Sequence, residues 1–213
     1  MRKTKAIPLK TKTTFAVVVD GDWEVWYLQM LKRNERSVFV NIEPKIPQRK
    51  SLSEQYKKAI ELSLEYSKVF WIVDFDVISR ETKNALRSKK TATQLFLQYR
   101  KTISEKHYNI VVIVNNPCLE FWLLIHYEAT SKYFNNGEEA EKQLKKHLKD
   151  YEKSLKYYTK QGNDIYSRLK PHLSSALKNA KTLKLFDIEN PNKALSEMHL
   201  FFEADEFEQL FKN

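Results

Sequence analysis

Three aspartates follow apolar runs that are typical of buried strands. Asp20 comes directly after the run Phe15 to Val19, and Asp74 and Asp76 stand near the end of the run that begins at Val69. In open parallel sheets, ligands bind outside the carboxyl ends of the strands. Neighbouring carboxylates repel each other unless a cation or a proton lies between them, and Mg²⁺ or Mn²⁺ prefers oxygen ligands. The sequence therefore predicts a Mg²⁺ (or Mn²⁺) site held by Asp20, Asp74 and Asp76.

The spacing of Asp74 and Asp76 carries this prediction. If both residues belong to a strand, the alternation of side chains places them on the same face. Aspartate is also common just past a strand, as a turn residue or a helix N-cap, and that alternative explains Asp20 by itself. It explains the pair poorly, because two acids within an apolar run lose hydration without a compensating ligand. We therefore prefer the metal site.

Other polar residues near the predicted strand ends are candidates for supporting roles. Glu24 lies one helical turn beyond Asp20 and can face the same site, although an acid in a helix's first turn is also ordinary. Asn116 follows the fourth predicted strand, where it either reaches the site or caps the next helix. Glu120 and His126 lie on different faces of that helix, so we do not expect both to contact one metal ion. A lone histidine on an apolar helix is more often a core residue than a ligand.

Basic residues cluster in two segments that we expect near the same edge of the sheet. The candidates for binding nucleic-acid phosphates beside the metal are Arg49, Lys50, Arg80, Arg87, Lys89 and Lys90. The whole chain has 37 Lys and Arg against 27 Asp and Glu, a net charge of +10. Such a surface attracts phosphates through counterion release, so nucleic acid is a natural partner. A lysine-rich solvated surface explains the charge equally well.

The composition excludes several other kinds of site. There are only 3 glycines, and neither GxGxxG nor GxxxxGK[ST] occurs, so a glycine-rich phosphate loop is not expected. Cys118 is the single cysteine, which rules out an intramolecular disulfide and a cysteine-based zinc cluster within the chain. The histidines have no HExxH spacing. Because the sequence contains neither a signal-peptide pattern nor a membrane-length apolar segment, we predict a cytoplasmic protein without a membrane partner.

The elements that must position these residues alternate between strands and helices. The predicted strands are Phe15–Val19, Val38–Pro44, Val69–Ile78 and Tyr108–Val114. A helix follows each strand; the second begins at the N-cap Ser51, where Glu54 completes a capping box, and another covers Ala92 to Glu105. This alternation predicts an α/β fold, with a mainly parallel four-stranded sheet flanked by helices.

The last third of the chain predicts an α-helical C-terminal layer. From about Glu138 the strand signal stops, and three helices are expected, the second of which Pro171 should kink or break. We therefore divide the chain into a flexible basic tail (1–13), an α/β domain (14–135) and a helical region packed on the same domain (136–213). Pro117 should lie near the first turn of the helix after the fourth strand.

Three segments of the chain resemble the motifs of a known family. They are DGDWEVWY from Asp20, IVDFDV from Ile72 and NNPCLEFWLLIHYE from Asn115. All three are similar to motifs of the RloB-like (AbiLii-like) proteins of bacterial defence loci, which are related to the Toprim fold of topoisomerases, primases and OLD-type nucleases. The first family motif, roughly EGxTExxY, is matched at Asp20, Gly21, Glu24 and Tyr27. The most specific motif, NPxFExWLLLH, is matched at Asn116, Pro117, Glu120, Trp122, Leu123, Leu124 and His126.

The resemblance implies a Toprim-like domain in which Asp20, Glu24, Asp74 and Asp76 are catalytic. It implies a Mg²⁺-dependent nuclease that cleaves DNA or RNA, including tRNA, as an effector of anti-phage defence. A partner ATPase would act alongside it, since the chain has no ATP motif of its own. Asp20 departs from the family pattern, where a glutamate serves as general acid/base. The shorter side chain keeps the carboxylate and reduces its reach by one methylene, which affects catalysis more than metal binding.

Two other functions remain open at this point. The chain could be a non-catalytic Toprim-like module that binds nucleic acid or a partner protein, and aspartate at position 20 favours this alternative. It could also be a phosphotransfer or nucleotidyl-transfer enzyme that uses the same acids, although the absence of a glycine loop argues against nucleotide binding. Metal-dependent cleavage that depends on Asp74 would separate the nuclease from the module, and analysis of the products would separate the two enzymes.

Overall fold

The computed structural model describes residues 15–36, 40–43, 50–84 and 90–205. Within them, one sheet has the strand order β2-β1-β3-β4-β5. Its strands are β1 (Phe15–Val18), β2 (Val40–Glu43), β3 (Lys68–Asp74), β4 (Ile110–Asn116) and β5 (Leu195–Ser196). The first four are parallel and β5 runs antiparallel to β4. The predicted α/β class with a mainly parallel sheet is confirmed, and the prediction of four strands is one too few.

Helices cover the sheet and continue into the C-terminal region. They are α1 (Asp22–Asn34), α2 (Leu52–Ser63), α3 (Phe75–Lys83), α4 (Ala92–Lys106), α5 (Leu119–Leu124), α6 (Gly137–Leu144), α7 (Leu155–Tyr158), α8 (Ile165–Leu169), α9 (Leu173–Thr182) and α10 (His199–Phe202). The capping box of Ser51 and Glu54 is present, as predicted, at the start of α2. The predicted break at Pro171 is also confirmed, since a 3₁₀ turn at Lys170–His172 separates α8 from α9.

The third strand is shorter than predicted. It ends at Asp74, which is the N-cap of α3, and Asp76 lies in the first turn of that helix. Phe75 and Ile78 are both buried, a spacing that one helix face accommodates. The apolar run from Val69 to Ile78 was therefore misassigned, because an apolar run with polar interruptions does not by itself distinguish a strand from a buried helix.

The C-terminal region also differs from the prediction. The first expected helix is interrupted between Leu144 and Leu155, and the third is wrong, since its residues form β5 and the short α10. Strand β5 adds to the edge of β4 because Glu197 follows it: this buried carboxylate accepts hydrogen bonds from the Val114 amide (2.9 Å) and the Phe186 amide (2.7 Å). These partners are distant in sequence, so no local pattern could reveal the strand.

The topology gathers several chain ends at one edge of the sheet. Strands β1, β3 and β4 all end there, and helices α1, α3 and α5 all begin there. The first turn of a helix carries free amide groups and a partial positive charge, which stabilise nearby carboxylates. Pro117 precedes the N-cap of α5, Cys118, and so lies just before the helix rather than within its first turn. This edge is where the predicted acids must meet.

Several earlier predictions lie partly or wholly beyond the described residues. The basic tail at 1–13 lies outside them, so the division of the chain into three regions stays a prediction. Across the described part of the chain, every helix is too short or too polar to cross a bilayer.

Candidate active site

A cavity of about 380 Å³ opens at the carboxyl ends of β1 and β3. Its lining includes the four acids predicted to be catalytic, Asp20, Glu24, Asp74 and Asp76. The expectation that Asp74 and Asp76 lie on one face of a strand was wrong, but both side chains still line the cavity. Because α3 starts directly after Asp74, its first turn brings Asp76 to the same cavity as the residue that ends the strand.

Glu24 is buried with one carboxylate oxygen unpaired among the described residues. Its side chain is 5% exposed, and Oε2 has no hydrogen-bond partner among the described residues. Burial raises the pKa of Glu24 to about 7, and repulsion from Glu120 and Asp20 adds to this rise. The carboxylate approaches the backbone closely, since a Cβ atom on Gly21 would lie 2.7 Å from Oε2. Glycine at the N-cap of α1 therefore makes room for Glu24.

Asp74 lies at the centre of the acids. Its Oδ2 accepts a hydrogen bond of 3.2 Å from the Leu119 amide at the start of α5, and the side-chain amide of Asn115 lies 3.5 Å from Oδ1. Burial raises the pKa of Asp74 well above its usual range, and repulsion from Glu24 and Asp76 raises it further. Without a cation the site therefore retains protons that isolated carboxyls would lose.

Backbone and side-chain amides orient the two flanking acids. The Gly137 amide at the start of α6 donates to Oδ2 of Asp76 (3.2 Å). On the other side, Gln55 donates from Nε2 to Oδ1 of Asp20 (3.0 Å), while its Oε1 accepts from the buried Trp71 indole (2.9 Å). Burial raises the pKa of Asp76, although Gly137 and Arg80 oppose the shift.

The C-terminal region supplies a wall of the cavity that the sequence did not reveal. Lys153 extends Nζ to 3.0 Å from Oε1 of Glu120, and the Tyr151 hydroxyl donates to the same oxygen (2.9 Å). Burial alone lowers the pKa of Lys153, but the Glu120 carboxylate outweighs it and the net shift is upward. Glu120 thus lines the site as predicted. Lys153 is one of many lysines in a polar segment, so no spacing marked it.

The other two supporting candidates lie away from the acids. The Asn116 side chain donates to the carbonyls of Pro191 (2.7 Å) and Lys193 (2.8 Å) and so fastens the loop before β5. Neither of its predicted roles is found, and its neighbour Asn115 contacts the site instead. Burial lowers the pKa of His126 to about 3, and Nδ1 lies 2.9 Å from the Trp122 carbonyl. His126 is thus a neutral core residue, the more common of the two alternatives.

The basic candidates divide into three groups. Lys50 and Arg80 line the cavity beside the acids. Lys90 donates to Gln98 (2.9 Å) on an exposed surface and does not belong to the cavity lining. The remaining three, Arg49, Arg87 and Lys89, lie outside the described residues.

The donor atoms suit a hard cation in kind, but they are not arranged as a finished metal site. Among the described residues, no three Asp, Glu, His or Cys side chains stand in positions to hold a metal ion. Several carboxylate oxygens accept amide hydrogen bonds instead. Oε2 of Glu24 is the exception, because it is buried, unpartnered and beside Asp74. A cation would satisfy this oxygen and reduce the mutual repulsion of the acids, provided that side chains reorient toward it.

Comparison with known families adds one finding. A model of the RloB-like protein family matches residues 15–204. The chain belongs to this family. The match extends well past the third motif, so in this RloB-like protein the family region includes both the acids at the sheet edge and Lys153 on the opposite wall. Searches of curated proteins and of solved structures returned no significant match.

Proposed function

We propose that this RloB-like protein is a Mg²⁺- or Mn²⁺-dependent nuclease that hydrolyses phosphodiester bonds in DNA or RNA. The observation that supports the proposal is an acidic cavity in a basic protein. Three basic residues line the cavity, against seven acids: Asp20, Asp22, Glu24, Asp74, Asp76, Glu81 and Glu120. Nucleic acid attracted by the net charge of +10 would be repelled from this cavity unless a cation were bound there.

The chain's residues have separate roles in this proposal. Asp20, Asp74 and Asp76 would hold the metal ion, and Glu24 would support it with its unpartnered oxygen. When bound, a divalent metal supplies an activated water and stabilises negative charge on the phosphate. Lys50 and Arg80 are suited to bind flanking phosphates.

Oε1 of Glu120 contacts Lys153 and Tyr151, and this fits a positioning role better than a metal ligand. Asp20, linked to Gln55, is the candidate general base, with less reach than the glutamate expected from the family motif. The proposed role in anti-phage defence and the proposed ATPase partner rest on family resemblance.

A non-catalytic module is the second candidate. The observation that favours it is that the described acids are not arranged to hold a metal ion as they stand. In this case the same cavity would bind nucleic acid or a partner protein without cleavage.

Cleavage assays with purified protein distinguish the two candidates. Labelled plasmid and total tRNA are incubated with Mg²⁺, Mn²⁺ or EDTA, and Mn²⁺ binding is measured in parallel by calorimetry. Asp74→Asn removes one charge from the centre of the site, whereas Glu105→Gln changes an acid that is 54% exposed at the far end of α4. We expect metal-dependent cleavage by the wild type and by Glu105→Gln, and its loss in Asp74→Asn.

Two other outcomes would contradict the nuclease. Cleavage that persists in EDTA and in Asp74→Asn would depend neither on a metal ion nor on the central acid. Mn²⁺ binding without cleavage, in the presence and absence of candidate ATPase partners, would favour the module.

A further inference from the structure

An aromatic residue stands at the rim of the acidic cavity. Trp23 lies in the first turn of α1, lines the cavity and is only partly buried. Its indole packs edge-on against Trp26, with ring centroids 5.0 Å apart, and lies 6.1 Å from the fully buried Tyr158 ring. The indole is thus packed against aromatic neighbours and remains partly exposed to the cavity.

A cation lies over the ring of this indole. Lys153 Nζ is 6.0 Å from the centroid of the Trp23 ring while it also contacts Glu120. The lining of the cavity therefore combines an aromatic surface and a positive charge with the proposed hydrolytic acids. This is the set of groups that a single nucleotide requires: a surface for its base, a cation for its phosphate and a reactive centre at the phosphodiester.

The indole restricts the form of nucleic acid that can use all three groups. It lines the same cavity of about 380 Å³ as the acids, so a base that stacks on it must enter that cavity. In a duplex the bases are stacked inside the helix, so no base face is available to an indole. An unpaired nucleotide can enter the cavity and stack at the same time.

We infer that the site takes an unpaired nucleotide, whose base stacks on Trp23 while its phosphate approaches Lys153 and the acids. The substrate is therefore single-stranded nucleic acid or the unpaired loop or end of a folded strand. This inference rests on the proposed function, since it names the class of substrate for the same site.

Binding measurements test the inference without cleavage. A fluorescent single-stranded oligonucleotide and a hairpin duplex of the same sequence are titrated with protein in Ca²⁺, which takes oxygen ligands as Mg²⁺ does. Gels confirm that the strands stay intact, and thermal melts confirm that each variant is folded. The variants are Trp23→Ala, Trp23→Phe and a control, Tyr108→Ala, which removes an aromatic that is 86% exposed before β4 at the opposite end of the sheet.

We expect the wild type to prefer the single strand, and Trp23→Ala to lose about ten-fold or more of that affinity, as the loss of one stacked base implies. Trp23→Phe should retain most of the affinity, and Tyr108→Ala should bind as the wild type does. Equal binding by Trp23→Ala and the wild type would overturn the inference, as would preference for the duplex or no binding of the single strand by the wild type.

The cleavage assay separates this failure from failure of the proposed function. Metal-dependent cleavage of duplex substrates that is unaffected by Trp23→Ala would leave the nuclease standing and refute the stacking role. Trp23-dependent binding of single strands without cleavage would refute the nuclease and retain the unpaired nucleotide as ligand.

Discussion

At the scale of single residues, two of the three glycines in the chain lie beside carboxylates of the site. Gly21 has an extended backbone that any residue can adopt, so its conformation does not require glycine. An added Cβ would instead force the nearby Glu24 carboxylate to move. A Cβ atom on Gly137 would contact Cys118 Sγ at 3.1 Å and Asp76 Oδ2 at 3.4 Å, so the second glycine also preserves room around an acid.

Substitution of Gly21 tests this arrangement. Gly21→Ala should displace the Glu24 carboxylate and lower Mn²⁺ affinity by about ten-fold, as loss of a supporting group does. Gly162→Ala is the matched control, because Gly162 has φ of 71° and no atom within 4 Å of a built Cβ. It should cost about 1 kcal/mol of stability and leave Mn²⁺ affinity unchanged. Calorimetry and thermal melts report both quantities, and unchanged Mn²⁺ affinity in Gly21→Ala would contradict the prediction.

The raised pKa of Glu24 predicts how stability depends on pH. An ordinary glutamate titrates near 4.5, whereas Glu24 does so at about 7 in the folded protein. The folded state releases the Glu24 proton at a higher pH than the unfolded state does. The contribution of this proton to folding stability is therefore complete below pH 4.5 and is lost as pH rises through 7. In EDTA, the free energy of unfolding of Glu24→Gln should therefore rise relative to that of the wild type between pH 4.5 and pH 7, by on the order of 3 kcal/mol. Urea unfolding at several pH values measures the gain.

A second glutamate provides a control of opposite sign. Hydrogen bonds from Ser51 lower the pKa of the fully exposed Glu54, so its stabilisation is present at neutral pH and lost on acidification. The free energy of unfolding of Glu54→Gln should therefore fall relative to that of the wild type as pH rises. A similar slope in both variants would show that the effect of Glu24→Gln does not come from its own titration. Mg²⁺ should reduce the advantage of Glu24→Gln at pH 8.

At the scale of elements, α2 connects the core of the sheet to its acidic edge through one side chain. Gln55 is 4% exposed, donates to Asp20 and accepts from Trp71 on β3. It also donates to the Lys50 carbonyl (2.9 Å) and so anchors the loop that leads into α2. Helix position and acid orientation are thus linked.

Replacement of Gln55 should affect both stability and the site. Gln55→Leu leaves the buried Trp71 N–H unpaired and removes a donor from Asp20, so we expect a loss of about 1–3 kcal/mol together with weaker Mn²⁺ binding. Ser51→Ala destabilises the same helix by about 1 kcal/mol through loss of its cap and leaves the Gln55 side chain unchanged. Chemical denaturation and calorimetry compare the two. If the Ser51→Ala variant lost as much Mn²⁺ affinity, the role assigned to Gln55 would be wrong.

At the scale of the whole molecule, the C-terminal region completes both the core and the site. Strand β5 pairs with β4, and Phe201 packs edge-on against Phe15 (6.2 Å) and Phe70 (5.0 Å) of the sheet. Lys153 and Gly137 reach the acids from the same region. The prediction that residues 136–213 pack on the α/β domain thus has a direct test.

Truncation provides that test. A chain that ends at residue 135 would expose the apolar face that Phe201 covers and leave Glu120 without Lys153, so we expect it to aggregate or to lack a cooperative thermal transition. A chain that ends at residue 205 keeps every described residue and should melt within a few degrees of the full chain. Circular dichroism melts of both decide the matter. A cooperative transition in the shorter chain would mean that the α/β domain folds independently.

The sequence by itself determined the class of the fold and the central acids of the site. Apolar β-branched runs alternating with amphipathic helices specify parallel strands, and parallel strands end at a common edge. Any acid that follows such a strand is therefore carried to that edge, which is why Asp20 and Asp74 line the same cavity. Asp76 lines the same cavity although β3 ends earlier than predicted, because the first turn of α3 places this residue next to Asp74.

Only the tertiary structure decided which distant residues complete the site. The choice of Asn115 over Asn116, the contact of Lys153 with Glu120, and the pairing of β5 with β4 depend on contacts between segments far apart in the chain. Local periodicity contains no record of such contacts, since a lysine that faces solvent and one that reaches a buried glutamate occupy the same kind of polar segment. Burial of a partner charge distinguishes them, and burial exists only once the chain has folded.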